Sequence, residues 1–249
     1  MLTTSLATGC IGPAGLDDDE ETTSDVELEA STVRRVLLCQ QGLSDRATEW
    51  DKGLFDLCEA AEAGGLDLIR DGEYPAFGAL DQSGAYDALF DYLDSNGDGV
   101  VTGADAPTNV RLVGFSWGGI NITDIAWWLQ HDGRISPARQ GVSVMVLLDP
   151  YQPQLWHATI PTNVARVWEY AQSNTTEGDC SSTLSLGSGF NGLTPRMKGA
   201  GTYCAYYDLD RFKSSVGHCD VPMAATKAAL VNLLDRKDYA PWAKYEEGC

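Results

Sequence analysis

Basic side chains are scarce in this chain: 17 Lys and Arg stand against 36 Asp and Glu, for a net charge of −19. Phosphate backbones are bound by clustered cationic groups, so this balance argues against a nucleic-acid partner. It disfavours anionic membrane surfaces and strongly acidic substrates for the same reason. No apolar run reaches the roughly 18 residues of a membrane-spanning helix. Histidine is scarce too, with three residues, and the seven cysteines show no CxxC spacing. A cysteine and histidine zinc site is therefore not the reading of these residues. No internal repeat is visible.

What is present suits one α/β domain with a short extension. The 249 residues are 43% hydrophobic, enough to bury a sizeable core. Residues 1–31 read as a leader and an acidic linker, with a domain from 32 to 249. Eight acids (Asp17, Asp18, Asp19, Glu20, Glu21, Asp25, Glu27, Glu29) and no Lys or Arg occupy the first 33 positions, too little apolar content to fold. The cysteines (Cys10, Cys39, Cys58, Cys180, Cys204, Cys219, Cys249) read as a disulfide framework in an oxidising, extracytoplasmic compartment, the bland alternative being buried free thiols. Cys180 with Cys204 is the pairing their proximity suggests. Leu6-Ala7-Thr8-Gly9-Cys10 resembles a bacterial lipoprotein processing site. That resemblance implies membrane attachment through a lipidated Cys10 and leaves six cysteines to pair; an ordinary leader is the alternative.

Periodicity then orders the domain. Val33 to Cys39 reads as a strand, Glu49 to Ala63 as a helix closed by Gly64-Gly65, and Leu66 to Ile69 as a second strand. Ala85 to Leu93 reads as a helix and Asn109 to Val113 as a strand. Val142 to Leu148 is apolar throughout, hence a strand buried on both faces. Val164 to Tyr170 and Tyr203 to Leu209 follow as strands, then a helix from about Met223 to Asp235. Residues 171 to 217 outside the late strand read as a long loop region. This alternation predicts a mostly parallel central sheet with helices on both faces.

The strongest chemical signal is Gly114-Phe115-Ser116-Trp117-Gly118-Gly119, between the strand Val110-Val113 and an apolar helix through Leu129. In a G-x-S-x-G turn the serine adopts a strained conformation that lifts its hydroxyl clear of the sheet, and the glycines let strand and helix pass closely. Ser116 is the candidate nucleophile, and it needs a base. His131 closes the following helix and His157 lies in a loop beside Trp156. His218 follows the last strand and precedes the final helix, so it is the preferred base. The third member is a carboxylate that orients the imidazole. Asp149, at the end of the buried strand and before Pro150, is the first choice. Glu177 and Asp179 after the next strand, or Glu169 within it, are the alternatives.

The order Ser116, Asp149, His218, with the serine turn and the alternating elements, resembles the α/β-hydrolase superfamily over residues 33 to 238. Leu148-Asp149-Pro150 looks like the acid motif of pancreatic-type lipases. The resemblance implies an oxyanion hole made by the backbone N–H groups of Leu43 and Trp117, although Gln41-Gly42 stands where the family usually has His-Gly. It implies acyl transfer from an ester-type substrate, small or lipid-like, without a catalytic cofactor; a peptidase or thioesterase would use the same three residues. Five of the seven tryptophans, Trp117, Trp127, Trp128, Trp156 and Trp168, offer apolar surface, with Trp127 and Trp128 expected to pack the helix.

A second motif, residues 94–105, has the spacing of a calcium loop. Asp94, Asn96 and Asp98 would supply side-chain oxygens, Val100 its carbonyl, Thr102 a water-mediated contact and Asp105 the last carboxylate. It resembles the EF-hand family, and aspartate at the twelfth position looks like the dockerin variety. About six strand residues at ~3.3 Å each would separate it from Ser116 by roughly 20 Å, so the ion is expected to be structural. Two functions follow: an extracytoplasmic serine hydrolase with a structural calcium, or a calcium-dependent surface or interaction protein on a non-catalytic hydrolase scaffold.

Overall fold

Alternation along three central strands decides which side chains meet which helices. β1 (Arg34–Gln40), β3 (Thr108–Phe115) and β4 (Val142–Leu148) are buried along nearly their whole length, as continuous apolar runs require. Val36, Leu38, Val110, Leu112, Met145 and Leu147 point to one face, where they meet α2 (Gln82–Leu93) and α3 (Trp117–His131). Leu37, Cys39, Val113, Val144, Val146 and Leu148 point to the other, against α1 (Lys52–Ala63) and α4 (Val221–Leu233). The computed structural model describes residues 33–43, 52–152, 155, 157–172, 194–197, 203–209, 216–235 and 247–248.

The main sheet adds β2 (Asp67–Ile69), β6 (Arg166–Ala171), β8 (Tyr203–Asp208) and β9 (Glu247–Gly248), in the order β2-β1-β3-β4-β6-β8-β9. The first six strands are parallel and β9 runs antiparallel to β8. This is a mostly parallel α/β sheet with helices on both faces, as expected. Two short strands, β5 (His157–Ile160) and β7 (Thr194–Met197), pair in parallel as a separate sheet. Both fall in stretches read from sequence as loop. Several elements extend beyond their expected bounds; α3, expected over the apolar stretch Ile120–Leu129, starts three residues earlier because the turn at Ser116 leads straight into it.

Two ties fasten this framework. A disulfide joins Cys39 in β1 to Cys58 in α1 across 19 positions, and Cys204 and Cys219 each take part in a disulfide whose partner lies outside the described residues. The expected partner of Cys204, Cys180, lies outside the described residues, as do the leader and Cys10. Midway along β3, on the face covered by α4, the fully buried Arg111 donates to the Leu233 carbonyl at the end of that helix and to Asp235. Arg166 of β6 pairs with the same carboxylate at 2.5 Å.

Closing a loop of this length by a disulfide is worth about 3 kcal/mol. The double variant Cys39→Ala/Cys58→Ala should lose about that much stability in equilibrium urea unfolding, with the slope of the transition reporting any change in the unfolded chain.

Candidate functional site

β3 and β4 end level with one another, Phe115 opposite Leu148, so Ser116 and Asp149 leave the same edge of the sheet side by side. β6 continues the row, with Tyr170 opposite Leu148. Ser116 has φ 55° and ψ −123° and Asp149 has φ 44°. Non-glycine residues held in such conformations cost about 1–3 kcal/mol each and persist only where the surroundings over-determine them. Here they do. The Ser116 N–H donates to the Leu148 carbonyl at 3.0 Å, and its own carbonyl accepts from Gly119 and Tyr151 at 3.0 Å. The Asp149 N–H donates to the Tyr170 carbonyl at 2.7 Å.

Glycine is required where these segments cross. A side-chain carbon on Gly118 would collide with the Gln40 and Gln41 carbonyls, and one on Gly114 would collide with the Gly118 carbonyl. The turn is therefore packed backbone against backbone, which is the physical content of the G-x-S-x-G spacing.

His218 opens a short 3-10 turn, His218–Asp220, that runs directly into α4. Its Nε2 lies 2.8 Å from Ser116 Oγ and its Nδ1 lies 2.6 Å from Asp149 Oδ2. A carboxylate can only accept, so the proton sits on Nδ1 and leaves Nε2 to accept from the serine hydroxyl. All three are buried: Ser116 is 8% exposed, His218 6% and Asp149 0%. The imidazole packs between Phe115 (ring centres 5.0 Å apart) and Tyr151 (6.0 Å). The structure thus joins the three preferred residues into one hydrogen-bonded chain.

The remaining candidates separate from it. His131 Nδ1 lies 2.7 Å from the Trp127 carbonyl within α3, and its ring stacks on Trp127. Trp127 is 44% exposed, contrary to the expected packing, whereas Trp128 packs edge-on against Tyr86. His157 is exposed and lies in β5 rather than in a loop. Glu177, Asp179 and Trp156 lie outside the described residues. Glu169 faces the same side of β6 as Val167, is wholly buried, and neither carboxyl oxygen has a hydrogen-bond partner among the described residues. Burial, and secondarily the charge of Asp149, push its carboxyl well above the usual range.

Gln172 was not singled out from sequence. Its backbone N–H donates to Asp149 Oδ1 and its side-chain Nε2 to Oδ2, both at 3.1 Å. No local pattern announces it; its position depends on the pairing of β6 with β4. The oxyanion candidates flank the serine. A side-chain carbon on Gly42 would stand 3.0 Å from Ser116 Cβ, which puts the segment leading to Leu43 against the nucleophile, and Trp117 is the first residue of α3.

No protein-family model matches this chain, and no curated protein matches it. Among solved structures it is similar to a YdeN-like hydrolase from Pectobacterium atrosepticum, at 16% identity and a TM-score of 0.31, covering 57% of this chain and 64% of that one. It is also similar to a CIB-like hydrolase from Thermoplasma acidophilum, at 16% identity and a TM-score of 0.36, covering 83% and 86%. Both likenesses are loose. The strand order and the turn at Ser116 define the fold without them.

The 94–105 loop lies before the amino end of β3, so all eight residues of that strand stand between it and Ser116. Asp94 accepts from the N–H groups of Gly97, Asp98 and Gly99, Asn96 from Asp98, and Asp98 from Val100. Asp105, 2% exposed, accepts from Thr102 and Asn96, and its carboxyl is held below the ordinary range chiefly by the Thr102 N–H. An all-oxygen donor set of this kind suits a hard cation. In the present arrangement the side chains are turned to the loop's own amides, and among the described residues no three His, Cys, Asp or Glu side chains converge on one point.

Glu169 generates a prediction about stability. An acid whose carboxyl is raised on folding binds its proton more tightly in the native state, so stability falls as pH rises above the unfolded value of 4.5. Glu169→Leu removes both this linkage and a buried group without partners. Its melting temperature should exceed that of the parent, by a margin that widens between pH 4.5 and 7; a constant or negative difference would contradict the assignment.

Proposed function

We propose that this chain is a serine hydrolase that cleaves an ester-type bond by acyl transfer. The observation that carries the reading is the continuous Ser116–His218–Asp149 hydrogen-bond chain at the carboxyl edge of the sheet, where open α/β folds bind their ligands. His218 Nε2 takes the hydroxyl proton as Ser116 Oγ attacks the carbonyl, and Asp149 stabilises the imidazolium that forms. The oxyanion is held by the N–H groups of Leu43 and Trp117, at the positive end of α3. His218 then protonates the departing alcohol, and water deacylates Ser116 by the same route. No metal or organic cofactor enters these steps. The substrate is a small-molecule or lipid-like ester; an amide or thioester would meet the same three residues.

Three further elements belong to this reading. The disulfide between Cys39 and Cys58 favours an extracytoplasmic location. The motif ending at Cys10 would anchor the protein by a lipid. Calcium in the 94–105 loop, held by Asp94, Asn96, Asp98, Val100, Thr102 and Asp105, would stabilise the entrance to β3 once the carboxylates turn inward.

A fluorophosphonate probe tests the chemistry, because Ser116 Oγ displaces fluoride from phosphorus only when activated. Wild-type protein should label; Ser116→Ala and His218→Ala should not. Asp149→Asn should label several thousandfold more slowly, on the order of the ~10⁴ loss known for an acid-to-amide change in a triad. Absence of labelling in calcium-loaded wild type would favour an interaction protein on an inactive scaffold. For the ion, EDTA should lower the melting temperature with little effect on turnover at a permissive temperature; immediate loss of turnover with the fold intact would refute a purely structural role.

A further inference from the structure

We propose that Gln172 is a positioning residue of the proposed triad, the group that holds the Asp149 carboxylate in the plane from which it grips His218. The proposal rests on the hydrolase reading above and adds a residue to it.

Asp149 is wholly buried, so water does not complete its hydrogen bonding. Among the described residues its carboxylate accepts three hydrogen bonds. One comes from His218 Nδ1 to Oδ2. The other two come from Gln172, from its backbone N–H to Oδ1 and from its side-chain Nε2 to Oδ2. One residue therefore engages both oxygens and opposes rotation of the carboxylate about its own bond. Gln172 is 2% exposed, and it must present its NH₂ group, since a carboxylate accepts only. The backbone beneath Asp149 is already fixed in the left-handed region, so side-chain rotation is the freedom left to control. Across the strand pair Glu169 lies close enough to interact electrostatically with Asp149, yet among the described residues neither of its oxygens has a hydrogen-bond partner. Two carboxyls thus stand at neighbouring strand ends in opposite surroundings, one furnished with donors and one without. Gln172 supplies two of the three hydrogen bonds that Asp149 accepts among the described residues.

The tests separate positioning from packing. Gln172→Met keeps the volume, keeps the backbone donor and removes the side-chain one. With a p-nitrophenyl ester, kcat should fall about tenfold, the scale of a lost hydrogen bond to a buried charge, while KM stays within about twofold. The downfield proton resonance of His218 Nδ1–H should shift or broaden. Gln172→Glu carries a carboxyl that can donate to Asp149 only while protonated, so its kcat relative to wild type should recover as the pH is lowered. Unchanged kcat and an unchanged resonance in folded Gln172→Met would overturn the proposal. If that variant does not fold, a Gln172→Glu variant whose activity relative to wild type is independent of pH would overturn it equally. Failure of the hydrolase reading is distinct: wild type would not react with the fluorophosphonate, and the resonance would still report whether Gln172 holds the pair.

Discussion

The rest of the site depends on one steric constraint, the contact of backbone with backbone where β3 turns into α3. The Gln40 and Gln41 carbonyls occupy the space that a side chain at position 118 would need. Only glycine permits the helix to start so close to the neighbouring strand, and only that closeness brings Ser116 beside Gly42. The nucleophile's conformation, the start of α3 and the approach of the Leu43 segment are consequences of a single interlock. This is why a six-residue motif carries so much geometry.

The second determinant is register. Phe115, Leu148 and Tyr170 stand in one row across β3, β4 and β6, so residues just past them in sequence become neighbours in space. Ser116, Asp149 and Gln172 belong to three separate strand ends, brought together by hydrogen-bonded pairing far from the edge. His218 arrives from a fourth segment, carried by the turn before α4. A one-residue slip of β6 against β4 would carry Gln172 away from Asp149 and reverse which of its side chains face which core.

How much of this was legible in the sequence follows from the range over which each signal acts. Ser116 was legible because its turn is local: glycines, strand and helix lie within twenty residues. His218 and Asp149 were legible through chain order and through the run Val142–Leu148, whose apolar continuity marks a strand buried on both faces. Gln172 was not, because a glutamine past a strand says nothing until the neighbouring strand is known. The same limit applies to Glu169, whose buried, unpartnered state reflects its surroundings rather than its own type. β5 and β7 escaped notice because four residues give too few alternations to register. Trp127 shows the opposite error: an aromatic at helical spacing suggested packing, yet its ring lies on the surface against His131.

The clamp at the end of α4 has a consequence for the base. α4 begins immediately after the turn that carries His218 and ends where Arg111 grips the Leu233 carbonyl and Asp235. The helix therefore acts as a strut, clamped at its carboxyl end and bearing the imidazole just before its amino end. Because a helix resists compression along its axis, the placement of the imidazole is set in part from the far end of α4.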